Sequence, residues 1–290
     1  MHAAPTRTRL IRDEHDRGCW TRAVRTPDPR LRGLLHRDLL GFEQERATFS
    51  SWLEPPRAAY TLIVDLEGSI SLAGVPLPHA WIAGLSERYA VVGFDARYAS
   101  LDLELTPLGA WSVLGLPLAE IEGETVTLEE AFGASGRRLV DQLHDAPDWD
   151  SRFDVLERFL IARADAGPRP TPAVAWALRR LWETEGRERV DSLAAELGCS
   201  RRYLHARFRE QVGLAPKTVA RLIRFGAVRR RIERAPARWA DIAYDCGYAD
   251  QSHLSRDFRE LAGTTPGEFV TRLLPGYGGV MGDGVPFVQD

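Results

Sequence analysis

The chain has 290 residues, 44% of them hydrophobic and 27% charged, with a formal net charge of −3, which suits a globular protein of about two domains. No apolar run approaches the roughly 20 residues that span a bilayer, and the opening MHAAPTRTRLIRDEHDRG lacks the apolar core of a secretory signal. Cys19, Cys199 and Cys246 are odd in number and far apart, against a disulfide framework, so a cytoplasmic protein with no membrane association is expected.

In chain order, AAYTLIVDLEGSISLAG (58–74) alternates in polarity and turns at Glu67-Gly68, the pattern of a hairpin. YAVVGFDA (89–96) and ASLDLELTP (99–107) are further short β-like runs. After Pro117 the period becomes helical, in LEEAFGASGRRLVDQL and in SRFDVLERFLIARA, where Phe153, Leu156, Phe159 and Leu160 share one face. Residues 1–165 therefore read as a small β-domain followed by two helices. Three prolines and a glycine in ADAGPRPTP (164–172) place a linker over 166–171. Thr171-Pro172 then reads as an N-cap with proline in the first helical position.

Downstream, over 172–274, every periodic segment is helical, beginning with Val174, Leu178, Leu181 and Trp182 on one stripe. The segment PGYGGVMGDGVPFVQD reads as a flexible or surface-draped tail over 275–290. The expected fold class is α+β. Charge divides along the same line: residues 171–274 hold 19 Arg/Lys and 13 Asp/Glu, net +6, whereas residues 1–170 hold 19 and 26, net −7. A basic half joined to an acidic one points to polyanion binding by the basic half.

The helical half contains an internal repeat. Leu204, Phe208, Arg209, Glu210, Gly213 and Pro216 recur fifty positions later as Leu254, Phe258, Arg259, Glu260, Gly263 and Pro266. Ahead of them Leu193, Ala194 and Gly198 match Ile242, Ala243 and Gly247. Each copy reads as two helices joined by a glycine turn, with the glycine in the left-handed conformation that ends the first helix. Cys199 and Cys246 stand at those turns, where packing is the default for a lone thiol. Thr265-Pro266-Gly267-Glu268 has the form of a capping box.

With the apolar face committed to the core, the polar face of each second helix must point outward. That face offers Arg201, Arg202, His205 and Arg209 in the first copy, and Gln251, Ser252, Ser255, Arg256 and Arg259 in the second. Arginine donates twice to guanine and glutamine pairs with adenine in the same bidentate way, so these residues suit base edges in a major groove. Between the copies, 217–238 predicts one long spacer helix ending before Pro236. Its Arg229-Arg230-Arg231 cluster is either a phosphate contact or a solvated face.

Over about residues 172–274 the chain resembles the AraC/XylS family of bacterial transcription regulators. The resemblance is carried by SLAAELGCSRRYLHARFRE, RLIRFGAVRRRI and DIAYDCGYADQSHLSRDFRELAGTTPGEF. In the last of these Tyr248 and Leu254 replace two phenylalanines of the family pattern. The family implies two helix-turn-helix motifs reading successive major grooves of double-stranded promoter DNA, with RNA polymerase as a further partner. Carried over, the base-reading positions are Arg202 and His205, then Gln251, Ser252, Ser255 and Arg256.

Many such proteins begin with a cupin-like sensor barrel and a dimerising helix pair, and the β-then-helix order of 1–165 is similar. The resemblance thus implies a small-molecule effector and a homodimer. Trp52, Trp81, Tyr89 and Trp111 are candidate pocket residues, with Tyr60, Phe94 and Tyr98 further aromatics that either line a pocket or fill a core. Glu54, Asp65 and Glu67 read as turn and surface groups. His36, His79 and His144 lie too far apart for a metal site, so neither metal nor other cofactor is expected. No nucleophile elbow, phosphate-binding glycine loop or H-E-x-x-H helix appears, and an enzyme is not expected. The competing possibility is a DNA-tethered enzyme or repair protein whose activity resides in 1–165.

Overall fold

The computed structural model describes residues 7–15, 18–47, 51–234, 238–272 and 280–281. The first half forms strands β1 (Arg9–His15), β2 (Gly18–Arg25), β3 (Leu39–Ala47), β4 (Ser51–Glu54), β5 (Tyr60–Glu67), β6 (Ile70–Leu72), β7 (Val75–Pro76), β8 (Ala80–Ala83), β9 (Ala90–Phe94) and β10 (Tyr98–Leu105). Helix α1 (Pro107–Leu114), strand β11 (Thr125–Thr127) and helices α2 (Leu128–Phe132), α3 (Ala134–Asp145) and α4 (Trp149–Ala166) follow. The pairings are antiparallel and give two sheets, one ordered β1-β2-β3-β10-β5-β8-β11 and the other β12-β4-β9-β6-β7, where β12 is Val280–Met281.

β10 organises this half because its two faces carry opposite chemistry. Leu101, Leu103 and Leu105 are fully buried in the core shared with the helices. Tyr98, Ser100, Asp102 and Glu104 alternate with them and line the space between the two sheets. On that side Trp20, Phe42, Ile70, Trp81, Val92 and Tyr98 form a second, smaller cluster.

The hairpin expected at 58–74 is not formed. β5 pairs with β8 and β10 in the larger sheet, while β6 pairs with β7 and β9 in the smaller one. Gly68, at φ 73°, turns the chain out of the first sheet. Ser69 fixes the departure, its amide and hydroxyl both donating to Asp95 Oδ2 at 2.8 Å. Alternation marked both strands but could not say whether they were partners.

The second half comprises α5 (Pro172–Glu183), α6 (Val190–Glu196), α7 (Arg201–Val212), α8 (Pro216–Arg234), α9 (Trp239–Asp245), α10 (Gln251–Ala262) and α11 (Pro266–Arg272). Gly198 (φ 61°) and Gly247 (φ 74°) make the left-handed turns after α6 and α9. Leu193, Ala194, Leu204 and Phe208 are buried in the first helix pair, and Ile242, Ala243, Leu254 and Phe258 in the second. Phe258 packs against Phe225 of α8 and edge-on against Phe269 of α11, at centroid distances of 5.0 and 5.2 Å. Glu268 closes the capping box at Thr265, and the Thr265 backbone and hydroxyl donors, with Thr264, hold its carboxyl down to about 2. Thr171 precedes α5 without a side-chain cap; its amide and hydroxyl go to Gln211 of α7 instead.

One hydrophobic core runs through both halves. Tyr60 of β5 donates its buried hydroxyl to the Val212 carbonyl at the end of α7, 3.1 Å away. Of the segment expected to be a tail, Val280 and Met281 pair with Leu53 and Trp52 of β4; the rest, like Pro236, lies outside the described residues. Among the described residues no helix is long and apolar enough to cross a membrane.

Candidate nucleic-acid interface and inter-sheet cavity

α7 and α10 are the second helices of the two repeated pairs, and each starts from a side-chain cap. Ser200 Oγ accepts from the Tyr203 amide at 3.1 Å, and Asp250 Oδ1 from the His253 amide at 2.7 Å. The caps fix where each helix begins and so which side chains lead. Arg202 and His205 on α7, and Gln251, Ser252, Arg256 and Arg259 on α10, are exposed, and their side chains make no hydrogen bond or ion pair within the described residues. Ser255 is half-buried beside them. His253 turns away: its Nδ1 accepts from the Ala249 amide at 3.4 Å and its ring meets Tyr248 edge-on.

Two of the candidates are engaged. Arg201 pairs with Asp191 of α6 at 3.0 Å. Arg209, expected on the outward face, gives its guanidinium to Glu122 of the first domain at 2.7 Å. Arg209 stays exposed on the outward face, in the last turn of α7, and it is engaged because Tyr60 packs the first half of the chain against that end of the helix and brings Glu122 within reach.

The base of α10 is held by a charged network the sequence did not reveal. Asp257 is buried, accepts from Tyr248 Oη at 2.7 Å and pairs with Arg221 of α8 at 2.5 Å. Arg221 also reaches Glu260 of α10 and, at 3.3 Å, Glu87 of the first domain. The Arg229-Arg230-Arg231 cluster is spent internally. Arg231 pairs with Glu185 at 2.7 Å and Arg230 approaches it at 3.6 Å, while Arg229 is mostly buried over the Phe269 ring.

Between the sheets lies a cavity of about 820 Å³. Of the four aromatic candidates it gathers Trp52, Trp81 and Tyr89, together with Phe42 and Tyr98. Trp111 is excluded: it lies on α1, packed into the core that joins the sheets to the helices. Tyr60 and Phe94 are also elsewhere, Tyr60 at α7 and Phe94 tilted against Trp52 at 4.6 Å.

The polar wall is richer than expected. Arg57 bonds both Glu54 and Glu104, and Arg37 shares Glu104 at 3.2 Å. Burial alone would raise Glu104, yet Arg57 and Arg37 hold it below the ordinary carboxylate range. Burial pushes Asp102 up to about 6, with Arg37 pulling the other way. Outside the lining, Asp65 is likewise pushed up to about 6 by burial, against the hydrogen bond from Tyr98 Oη at 2.8 Å. Asp65 is therefore an interior group and Glu54 a half-buried one in the cavity wall, not the turn and surface groups expected. For Asp102 and Glu104 the signal was present in β10, where polar residues alternate with leucines; that pattern ordinarily marks a solvent face, and here the second sheet covers it.

At its rim the cavity meets the second helix-turn-helix. Glu260 of α10 is part of its lining. Tyr89 lies against Gly263, where an added Cβ would come within 2.6 Å of the ring. The repeat-equivalent Gly213 faces Tyr60 in the same way, with the hydroxyl 2.2 Å from the position of a Cβ. Among the described residues no three metal-binding side chains come together.

A family model described as a helix-turn-helix domain matches residues 193–272. Over 76 residues the chain is 33% identical to the HTH-type transcriptional activator RhaS of Escherichia coli (strain K12 / DH10B), covering 26% of this chain and 27% of that one. It thus spans about a quarter of the length of the curated relatives it matches. Among solved structures, ToxT from Vibrio cholerae is 11% identical, with a TM-score of 0.48 over 80% of this chain and 97% of its own. The DNA-binding domain of AdpA, in complex with a target DNA, is 30% identical, with a TM-score of 0.30 over 34% and 86%.

Proposed function

Residues 193–272 are an AraC-type helix-turn-helix domain, and from that premise we propose that the whole chain is a sequence-specific transcription regulator acting on promoter DNA. The observation that carries the proposal is the outward face of α10. There Gln251, Ser252, Arg256 and Arg259 stand exposed and unpaired on a helix fixed from below by Tyr248, Asp257 and Arg221. Groups of this kind on a rigid helix are what base-edge readout requires. Arg202 and His205 of α7 form the second, smaller reading surface.

The inter-sheet cavity is the proposed effector site. Tyr89 and Glu87 belong to the segment between β8 and β9, and they touch Gly263 and Arg221 respectively. An occupant that moved this segment would alter how the second reading helix is held. Transcriptional activation, which the name of RhaS gives for that protein, contact with RNA polymerase, and homodimerisation through α2, α3 and α4 belong to the same proposal.

Selection of bound fragments from random and genomic DNA by the full chain tests it. Enrichment of a bipartite motif is expected. Recovery of fragments with no shared sequence would leave only a non-specific polyanion binder.

A further inference from the structure

Asp102 stands on the face of β10 that the second sheet covers, where a strand ordinarily places a hydrophobic residue. Its ladder neighbours are Leu40 of β3 and Ile63 of β5, and Trp81 of β8 comes next beyond Ile63. Among the described residues its hydrogen-bond donor is Ser100 Oγ, 2.8 Å away. The cations beside it are committed, Arg57 to Glu54 and Glu104, and Arg37 to Glu104. Arg88, the remaining cation on the wall, is exposed at the rim. The lining therefore carries the carboxylates of Glu54, Asp102, Glu104, Glu124 and Glu260 against three guanidinium groups.

A carboxylate set in an apolar row and facing a cavity is costly unless a partner completes it. Such a group is a mark of a binding site. A carboxylate ligand would find Arg37 and Arg57 already paired and would lie against Asp102. A cation would complete the site, and the aromatic rings of Phe42, Trp52, Trp81 and Tyr98 would surround its apolar part. We propose that the cavity binds a primary amine with an apolar or aromatic body, its ammonium on Asp102 and its body among these rings. The proposal rests on the effector role given to the cavity above and names the chemical class of the effector.

The test is titration of the full chain with a panel of primary amines from butylamine to tryptamine, each beside its alcohol and carboxylate isosteres, read by calorimetry and thermal shift. At least one amine is expected to bind about tenfold or more tightly than its alcohol, as a charge-assisted contact would give, and its carboxylate isostere more weakly still. Asp102→Asn should abolish the preference for the amine while melting no lower than the native chain, since it removes a strained charge. If Asp102→Asn does not fold, the charge series on the native chain decides alone. Binding of alcohols or carboxylates in preference, or an amine affinity untouched by Asp102→Asn, overturns the amine assignment and leaves the effector site standing. If no compound of any charge class binds, in this panel or in a broad metabolite collection, the effector role falls and the amine assignment with it.

Discussion

At matching positions of the two helix-turn-helix copies, Arg209 is bound to Glu122 of the first domain, whereas Arg259 carries no partner within the described residues. The cores are near-equivalent: Leu204 and Phe208 against Leu254 and Phe258, all fully buried. Even the first domain's hold is repeated, with Tyr60 against Gly213 and Tyr89 against Gly263. The copies part company at their outward faces. Position by position, Arg201, Arg202, His205, Ala206 and Arg209 of the first copy stand opposite Gln251, Ser252, Ser255, Arg256 and Arg259 of the second. The first copy thus places two of its arginines in internal pairs and has alanine where the second has Arg256. Duplication preserved the scaffold and left the second copy with the fuller set of reading groups.

The strongest way to break that equivalence is in the cores. Phe208→Ala and Phe258→Ala should each lower the stability of the chain by about 3–5 kcal/mol, measured by denaturant melts. A much smaller loss in one of them would show that its helix pair is not an independent packing unit. Next in size is the outward face. Arg256→Ala should cost about 1–3 kcal/mol at one base pair and relax sequence preference there, read by binding to a set of single-base operator variants. Equal weakening on specific and random DNA would make Arg256 a phosphate contact. Ala206, its counterpart, offers no such group, so substitutions in the first copy should disturb fewer positions of the site.

The scaffold is legible in the sequence because glycine, proline and capping residues act locally. Gly198, Gly247 and the Thr265–Glu268 box announce their own geometry from the residue type alone. What was not legible depends on which distant segments meet. β5 and β6 read as partners because each alternates, yet pairing is decided by register with β10 and β9. Trp111 was a fair pocket candidate by type and is placed instead by α1, a helix whose apolar residues run all round it and so give no amphipathic signal. Asp102 and Glu104 looked like a solvent edge because nothing local says that a second sheet covers them. Arg209 looked free because Glu122 is far away in sequence.

Smaller effects sharpen the contrast at Arg209. The pair with Glu122 is between half-exposed side chains, 44% and 36% accessible, and pairs of that kind are worth about 0.2–1 kcal/mol. Glu122→Gln should therefore raise DNA affinity by no more than about fivefold, provided Arg209 turns to the phosphates once released. Arg209→Ala on its own should lower affinity and erase the effect of Glu122→Gln. If Glu122→Gln changes nothing while Arg209→Ala weakens binding, the ion pair does not compete with DNA.

The smallest effect is expected on α8, and it separates paired arginines from free ones. Arg230 approaches Glu185, which also binds Arg231 at 2.7 Å, and Glu185 is held below the ordinary carboxylate range by the Arg231 hydrogen bond against the opposing cost of its burial. A guanidinium occupied in this way releases few counterions from DNA. Arg230→Ala should leave the slope of log affinity against log salt unchanged, whereas loss of a phosphate contact would reduce it by about one. Arg259→Ala is the matched control on the second reading helix, because it removes an exposed arginine that has no internal partner. A reduced slope for Arg230→Ala would mean that the pair with Glu185 opens on DNA, and that the helix between the two copies takes part in binding.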